Sequence, residues 1–302
     1  MNAVLIIDKP AGLTSHDVVN RVRRVVGEKS VGHLGTLDPM ATGVLPLVLG
    51  NLTRLARFYS ASDKGYEGTI RFGFSTDTYD AEGQIVGPIQ SVSLSLEQLV
   101  PVSRKFCGMV EQMPPPFSAK KIQGVPAYKL ARKKKEVKLE PVQVEVKKFE
   151  IISCDGDRAE FRARVSSGTY MRSIAHDLGR EVGCGAHLAS LRRTAVAEFS
   201  IEDAHTLERV EHAAQRDQLD EIAVHPRKLL PEMPSITATD EIAAHVRSGR
   251  AVNLPDFSRA KQVKVFYGQA ELISIATRVA GTLFHPKIVL ASENLLATAR
   301  GR

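Results

Sequence analysis

Cysteine is scarce: Cys107, Cys154 and Cys184 are the only three among 302 residues, and no two form a C-x-x-C pair. Few, odd in number and widely spaced, they suggest neither a disulfide framework nor a zinc site, and they suit a reducing compartment. Long apolar runs are missing too. The first, Val4 to Ile7, stops at Asp8 and Lys9, too short for a signal-sequence core or a membrane span, so a cytoplasmic protein with no membrane partner is expected. No segment repeats. With 43% hydrophobic and 25% charged residues the composition does not indicate disorder and allows a sizeable core. At this length a large domain plus a small one is expected.

Positive charge is in excess. The 41 Lys and Arg against 34 Asp and Glu give a net +7, which favours a polyanionic partner such as nucleic acid, although composition alone leaves a merely basic protein equally open. The excess is uneven. After Met113-Pro114-Pro115-Pro116, residues 113–140 gather Lys120, Lys121, Lys129, Arg132, Lys133, Lys134, Lys135 and Lys138 around Tyr128. This reads as a basic insertion that contacts RNA, with a solvated helix face as the alternative. Residues 201–232 reverse the sign, with eight acidic and four basic side chains, and Pro226, Pro231 and Pro234 punctuate the end. A domain boundary near 232 follows, giving domains over 1–232 and 233–302.

Local patterns predict the elements. Thr14 and Ser15 can cap a helix with Val18, Val19, Val22, Val25 and Val26 on one face and Gly27 at its stop. Val44 to Leu49 reads as a buried strand in which Pro46 implies an edge or irregular position. Tyr66, Gly68, Ile70, Phe72 and Phe74 alternate with polar neighbours as a half-buried strand does, and lead into a loop over 76–83. Ser95 can open a helix carrying Leu96, Leu99, Val102 and Phe106, kinked or shortened by Pro101. Val142 to Val146 and Ala159 to Val165 form an antiparallel pair around Asp155-Gly156-Asp157. A helix striped by Ile174, Ala175, Leu178 and Val182 ends at Gly183 and Gly185. Beyond 232, Val263 to Phe266, Leu272 to Ile275 and Ile288 to Leu290 suggest a small β-rich module.

The densest functional signal is Gly32-His33-Leu34-Gly35-Thr36-Leu37-Asp38-Pro39-Met40-Ala41-Thr42-Gly43-Val44-Leu45. Its glycines permit tight turns and close approach of a ligand, and Pro39 holds Asp38 extended. An Asp-Pro in a Gly-rich loop is, taken alone, more often a turn than an active site. The wider pattern changes that balance. The segment resembles the catalytic motif of the pseudouridine synthases, specifically the bacterial tRNA pseudouridine-55 synthase family. Lys9-Pro10-Ala11-Gly12-Leu13-Thr14-Ser15, Asp63-Lys64-Gly65-Tyr66, Met113-Pro114-Pro115 with Ser118-Ala119, Gly168-Thr169-Tyr170-Met171-Arg172 and Leu191-Arg192-Arg193 are similar to further family motifs and occur in the same order. The resemblance spans roughly residues 3–200. Lys120 departs from it where an apolar residue is usual, and Ala197 where glycine is common.

The resemblance implies an α/β (α+β) catalytic domain on a mixed, largely antiparallel sheet flanked by helices, followed by a small β-rich RNA-binding domain of the PUA type. It implies Asp38 as nucleophile, Arg172 as its paired cation and Tyr66 as the aromatic that stacks on the target uracil, its hydroxyl able to assist removal of the C5 proton. His33 takes the position that inserts into the RNA beside an everted base. Tyr170 and Leu191 line the pocket, Asp80 belongs to a substrate-contacting loop or an Asx turn, and Lys9 is structural or near the pocket. Attack at C6, attack at C1′ and a glycal route all stay open. No metal and no organic cofactor are implied; the partner is the T-arm of tRNA, and the enzyme acts as a monomer with no obligatory protein partner. Two rivals are a subunit of a guide-RNA pseudouridylation particle and a tRNA-folding chaperone with the same contacts.

Overall fold

The computed structural model describes residues 1–117 and 139–290, together with the backbone of two short strands at Lys121–Ile122 and Val125–Pro126. The basic side chains from Lys120 to Lys138, expected to contact RNA, lie outside the described residues. Nine strands form the main sheet: β1 (Ala3–Lys9), β2 (Val31–His33), β3 (Thr42–Leu49), β4 (Lys64–Phe72), β5 (Gly108–Gln112), β6 (Val142–Asp155), β7 (Arg158–Val165), β8 (Ala186–Val196) and β9 (Phe199–Ser200). Their order is β1-β3-β8-β4-β7-β6-β5, with β2 pairing β3 and β9 pairing β8. Every pairing is antiparallel except β3 with β8, which run parallel at Thr42/Arg192 and Gly43/Arg193. This is the mixed, largely antiparallel sheet expected.

The unbroken apolar run in β1 has a structural cause. Leu5 and Ile7 pack on one face with Leu45, Leu47, Ile70, Phe72 and Phe161, while Val4 and Ile6 pack on the other with Val44, Val48, Phe266 and Ile275. A strand covered on both faces has no solvent side to alternate toward. Burying each of these aliphatic side chains contributes about 1.5–3 kcal/mol, so the sheet centre is a stiff base for the loops at its ends.

Pro46 sits opposite Ile6, in the gap on β3 between the short contact with β8 and the contact with β2. The Ile6 carbonyl is taken by the His205 N–H, so no ladder bond is lost at the proline, whose own carbonyl accepts from Leu34 N–H at 2.9 Å.

Six helices accompany the sheet among the described residues: α1 (Ser15–Val26), α2 (Ala56–Tyr59), α3 (Leu96–Arg104), α4 (Met171–Val182), α5 (Leu207–Gln215) and α6 (Leu219–Ile222). Thr14 caps α1 through a reciprocal box with Asp17, and Gly27 closes it at φ 69°. Helix α3 tolerates Pro101 by staying short, which leaves Phe106 beyond its end. Strand β4 stops at Phe72 rather than Phe74, because Gly73 turns the chain at φ 97°. Ala197, where the related family favours glycine, holds φ 52° between β8 and β9, a strain of roughly 1–2 kcal/mol for a residue with a Cβ.

The C-terminal part forms a second sheet from β10 (Ser235–Thr237), β11 (Val252–Asn253), β12 (Gln262–Tyr267), β13 (Glu271–Ala280) and β14 (Leu283–Val289), in the order β10-β12-β13-β14-β11. Helix α7 (Asp240–Arg247), capped by Thr239, buries Ala243 and Val246 in a small core with Val263, Val265, Ile273 and Phe284. No helix among the described residues is long and apolar enough to cross a membrane.

Candidate active site

The loop between β2 and β3 is clamped by buried cations. Lys9 is 0% exposed, and its Nζ donates to the carbonyls of Pro10 (2.8 Å), Leu13 (2.7 Å) and Pro39 (3.2 Å). Arg193, also 0% exposed, donates to Val44 (2.7 Å), Thr36 (3.2 Å) and Gly35 (3.0 Å) carbonyls. Ser15 adds a third tie, its hydroxyl accepting from Leu37 N–H at 2.8 Å. At Gly43 (φ 98°) a Cβ would lie 2.2 Å from the Arg193 carbonyl, so only glycine lets β3 approach β8 there. The loop's backbone polar groups are thus spent on the scaffold, and the Asp38 side chain is left projecting.

Asp38 sits beside Arg172 on the floor of a cavity of about 450 Å3, lined also by Lys64, Tyr66, Tyr170, Met171 and Leu191. The Arg172 Nε lies 2.9 Å from Asp38 Oδ2. That nitrogen makes no aligned hydrogen bond, so the contact is an ion pair by charge and proximity. The other nitrogens of Arg172 are fully engaged: Nη1 with the Thr78 carbonyl (3.2 Å) and Asp80 Oδ2 (3.3 Å), Nη2 with the Phe117 carbonyl (3.0 Å). Solvent reaches 38% of the Asp38 side chain through the cavity mouth, although protein surrounds it on every other side. Burial pushes its carboxyl above the usual range; Arg172 and Lys9 oppose this, and the Asp80 carboxylate adds to it. A carboxylate so placed is open to the cavity and incompletely paired, which favours reaction with an electrophile brought into the cavity.

Tyr170 caps α4 and is held by Gln112, which donates from Nε2 to the Tyr170 carbonyl (3.0 Å) and accepts from its N–H (2.8 Å). Tyr66, 7% exposed, lies beside the Arg193 guanidinium. Leu191 projects from β8 into the same cavity. The structure therefore brings together Asp38, Tyr66, Arg172, Tyr170 and Leu191, which come from four separate stretches of the chain.

Three expected site residues stand elsewhere. Lys9, expected to be structural or near the pocket, does not line the cavity and is fully buried with its protons given to three carbonyls. Asp80 is 4% exposed and does not line the cavity. It closes an Asx turn, as one of its two readings had it, by accepting from Glu82 N–H (3.1 Å), and it pairs with Arg172. His33 lies outside the cavity at the end of β2, with Nδ1 accepting from Gly35 N–H at 3.3 Å, and burial lowers its pKa. Arg193, Lys64 and Gln112 were not singled out by sequence reasoning. Two of them sit inside recognised motifs, Leu191-Arg192-Arg193 and Asp63-Lys64-Gly65-Tyr66, which was the signal available.

Comparison with known proteins places the chain in a family. A family model described as TruB family pseudouridylate synthase (N-terminal domain) matches residues 23–171, and one for the tRNA pseudouridylate synthase B C-terminal domain matches residues 172–233. A tRNA pseudouridine synthase B from Solibacter usitatus is 48% identical over 293 residues, covering 96% of this chain and all of that protein. The Aquifex aeolicus protein of the same name is 38% identical over 292 residues, covering 96% of this chain and 100% of its own length. Among solved structures, a chain of an H/ACA ribonucleoprotein bound to a substrate RNA containing 2′-deoxyuridine superposes with a TM-score of 0.72 at 22% identity, covering 97% of this chain and 86% of that one. One from the archaeal box H/ACA Nop10-Cbf5 complex gives 0.69 at 25% identity, with 97% and 87% covered. The structural likeness shows a shared fold, and the sequence relatives show descent: the chain belongs to the TruB family of pseudouridylate synthases.

Proposed function

We propose that this protein isomerises a uridine of tRNA to pseudouridine, that the target is uridine-55 in the T-loop, and that Asp38 is the nucleophile. The observation that supports this best is Asp38 itself: a carboxylate ion-paired to Arg172 in a cavity of nucleoside size, with Tyr66 on the wall. The net reaction breaks C1′–N1, forms C1′–C5 and moves one proton from C5 to N1. It is redox-neutral and consumes no second substrate, so the chain's own side chains suffice.

In this reading the target base leaves its stack and enters the cavity, where Tyr66 stacks on it and Tyr170 and Leu191 exclude water. Asp38 acts on the nucleotide at C6, at C1′ or by the glycal route, and the walls of the cavity keep the cleaved uracil from escaping while it turns. Arg172 orients the carboxylate and balances its charge. Tyr66 is also placed to assist loss of the C5 proton. His33, outside the cavity on the same loop, inserts into the RNA where the base has left. Residues 1–232 carry the chemistry, and residues 233–302 form a PUA-like RNA-binding domain, a division supported by the separate sheet and core of the C-terminal part. The enzyme acts in the cytoplasm as a monomer, without guide RNA.

The test is to incubate purified protein with unmodified tRNA, and with an isolated T-arm hairpin, and to map pseudouridine by chemical labelling. Product at one T-loop position on both substrates is expected. Activity that requires a guide RNA and protein partners would replace this reading with that of a ribonucleoprotein subunit. An Asp38→Asn variant that folds tRNA but makes no pseudouridine would show a chaperone activity alongside catalysis; undiminished turnover in that variant would refute the role of Asp38.

A further inference from the structure

The turn that carries Asp80 is held from one helix at two points. Arg172 and His176 lie four residues apart on α4, hence on the same face. Arg172 grips the turn through the Thr78 carbonyl and the Asp80 carboxylate. His176 lies flat on Tyr79, with ring centroids 3.8 Å apart and planes 11° from parallel. The His176 Nδ1 is buried and has no hydrogen-bond partner, so the flat face of this imidazole is in use and that edge is not.

Tyr79 has φ 66°, a left-handed conformation that a bulky aromatic residue adopts only when its surroundings impose it. Three contacts hold it here, the first being its own N–H, which donates to the Thr76 carbonyl at 3.3 Å. The Tyr79 carbonyl accepts from Leu188 N–H on β8 at 2.9 Å, and the ring is pressed against His176. Without the stack the left-handed residue is held by its backbone bonds alone, and Asp80, the next residue, is seated less firmly against the Arg172 guanidinium, although Thr76 Oγ1 still donates to its carbonyl at 2.7 Å and Thr78 Oγ1 to its Oδ1 at 2.6 Å.

We propose that the His176–Tyr79 stack is a positioning device for the uridine isomerisation: by holding Tyr79 left-handed it seats Asp80 against Arg172, and thereby sets the guanidinium on Asp38. The inference rests on the reaction proposed above. Neither ring lines the cavity, so both are positioning residues that act through Arg172.

The experiment measures single-turnover rate on unmodified tRNA, RNA affinity and melting temperature for the wild type, His176→Ala, His176→Phe, Tyr79→Leu, Asp80→Asn and the His176→Ala/Asp80→Asn double variant. His176→Ala is expected to slow the single-turnover step about 10- to 100-fold, the scale of a small misplacement at a reacting centre, with RNA affinity changed less than about two-fold. His176→Phe restores a flat ring and should recover most of the rate. The double variant should be no slower than Asp80→Asn by more than about two-fold, because both changes release one element and their effects do not add. Tyr79→Leu removes the same stack from the turn side, and it carries the test if His176→Ala does not fold. Full activity in both stack variants, losses that multiply in the double variant, or slowing seen only where a variant has begun to melt would overturn the proposal. An inactive wild type would instead overturn the assigned reaction, so the two failures are distinct.

Discussion

Two regions of the molecule bury cations against backbone carbonyls, and they end differently. At the junction with the second sheet, Lys264 is 3% exposed and donates to the carbonyls of Leu229 (2.7 Å) and Leu230 (3.0 Å). Beside it the Tyr59 hydroxyl donates to Glu198 Oε1 at 2.7 Å, and the same oxygen accepts from Leu230 N–H at 2.9 Å. Phe199, Phe266 and Leu272 belong to the apolar cluster around it. Burial and the neighbouring Glu198 keep the Tyr59 phenol protonated far above its usual range. Behind the Asp38 loop, Lys9 and Arg193 are as deeply buried and clamp carbonyls in the same manner, but the carboxylate they frame faces an open cavity. At the junction Glu198 is occupied by two donors, the Tyr59 hydroxyl and the Leu230 N–H. The Asp38 site spends its cations on holding the loop and leaves its carboxylate facing the cavity with a single arginine beside it.

Exchanging one acid at each place should sharpen the contrast most. Asp38→Asn is expected to reduce pseudouridine formation by about 10³-fold or more, as removal of a nucleophile does, while tRNA binding persists in a filter or gel-shift assay. Stability should not fall. The folded state raises the Asp38 pKa, so above the unfolded value the native protein holds more protons than the unfolded chain, and stability drops as pH rises through that window. The variant lacks this penalty at pH 7. Glu198→Ala should do the opposite, costing about 2 kcal/mol in chemical denaturation because the Tyr59 hydroxyl and Leu230 N–H lose their acceptor, with turnover per folded molecule retained.

The two clamps differ in the same sense. Arg193→Met strips three carbonyls of their donor and is expected to cost about 3 kcal/mol and to lower kcat, since the loop carrying Asp38 loosens. Lys264→Met should cost about 2 kcal/mol and leave kcat unchanged. Equal kcat losses from both would break the distinction.

Lys9 offers a smaller, pH-resolved test. Burial lowers its pKa from 10.5 to about 8, so between these values the unfolded chain binds more protons, and this group's contribution to stability rises with pH. The stability of wild type relative to Lys9→Met should therefore increase by about 2–3 kcal/mol on going from pH 8 to a pH near the upper value. A difference flat with pH would mean that burial does not lower the Lys9 pKa and that the amine stays charged up to its ordinary range. The finest effect concerns the acid limb of kcat/KM. It should lie above the ordinary aspartate range, and Asp80→Asn should move it to lower pH, because one of the charges that raises the Asp38 pKa is gone.

Some elements were legible because their causes are local. The Thr14 box and Gly27 delimit α1, and Gly156-Asp157 joins β6 to β7 as the alternating pattern requires. Strand β8 was not legible, although it crosses the centre of the sheet. Its register with β4 shifts between Leu188 and Ser190 and again between Arg193 and Ala195, so its inward residues do not alternate, and one of them is an arginine. Helix α5 was hidden in the acidic stretch read as a boundary, because its apolar face, Leu207, Val210 and Ala213, is narrow and finds its partner in α1.

By itself the sequence determined the reactive loop. Glycines, a proline after Asp38 and the ordered motifs along the chain are short-range features, and through their resemblance to a known family they point to Asp38, Arg172 and Tyr66 before any coordinate is known. Only the tertiary structure decided what Lys9, Asp80, His33 and Arg193 do. A cation or carboxylate looks alike in any sequence, and its role depends on which backbone carbonyls and charges the folded chain places around it and whether water can still reach it.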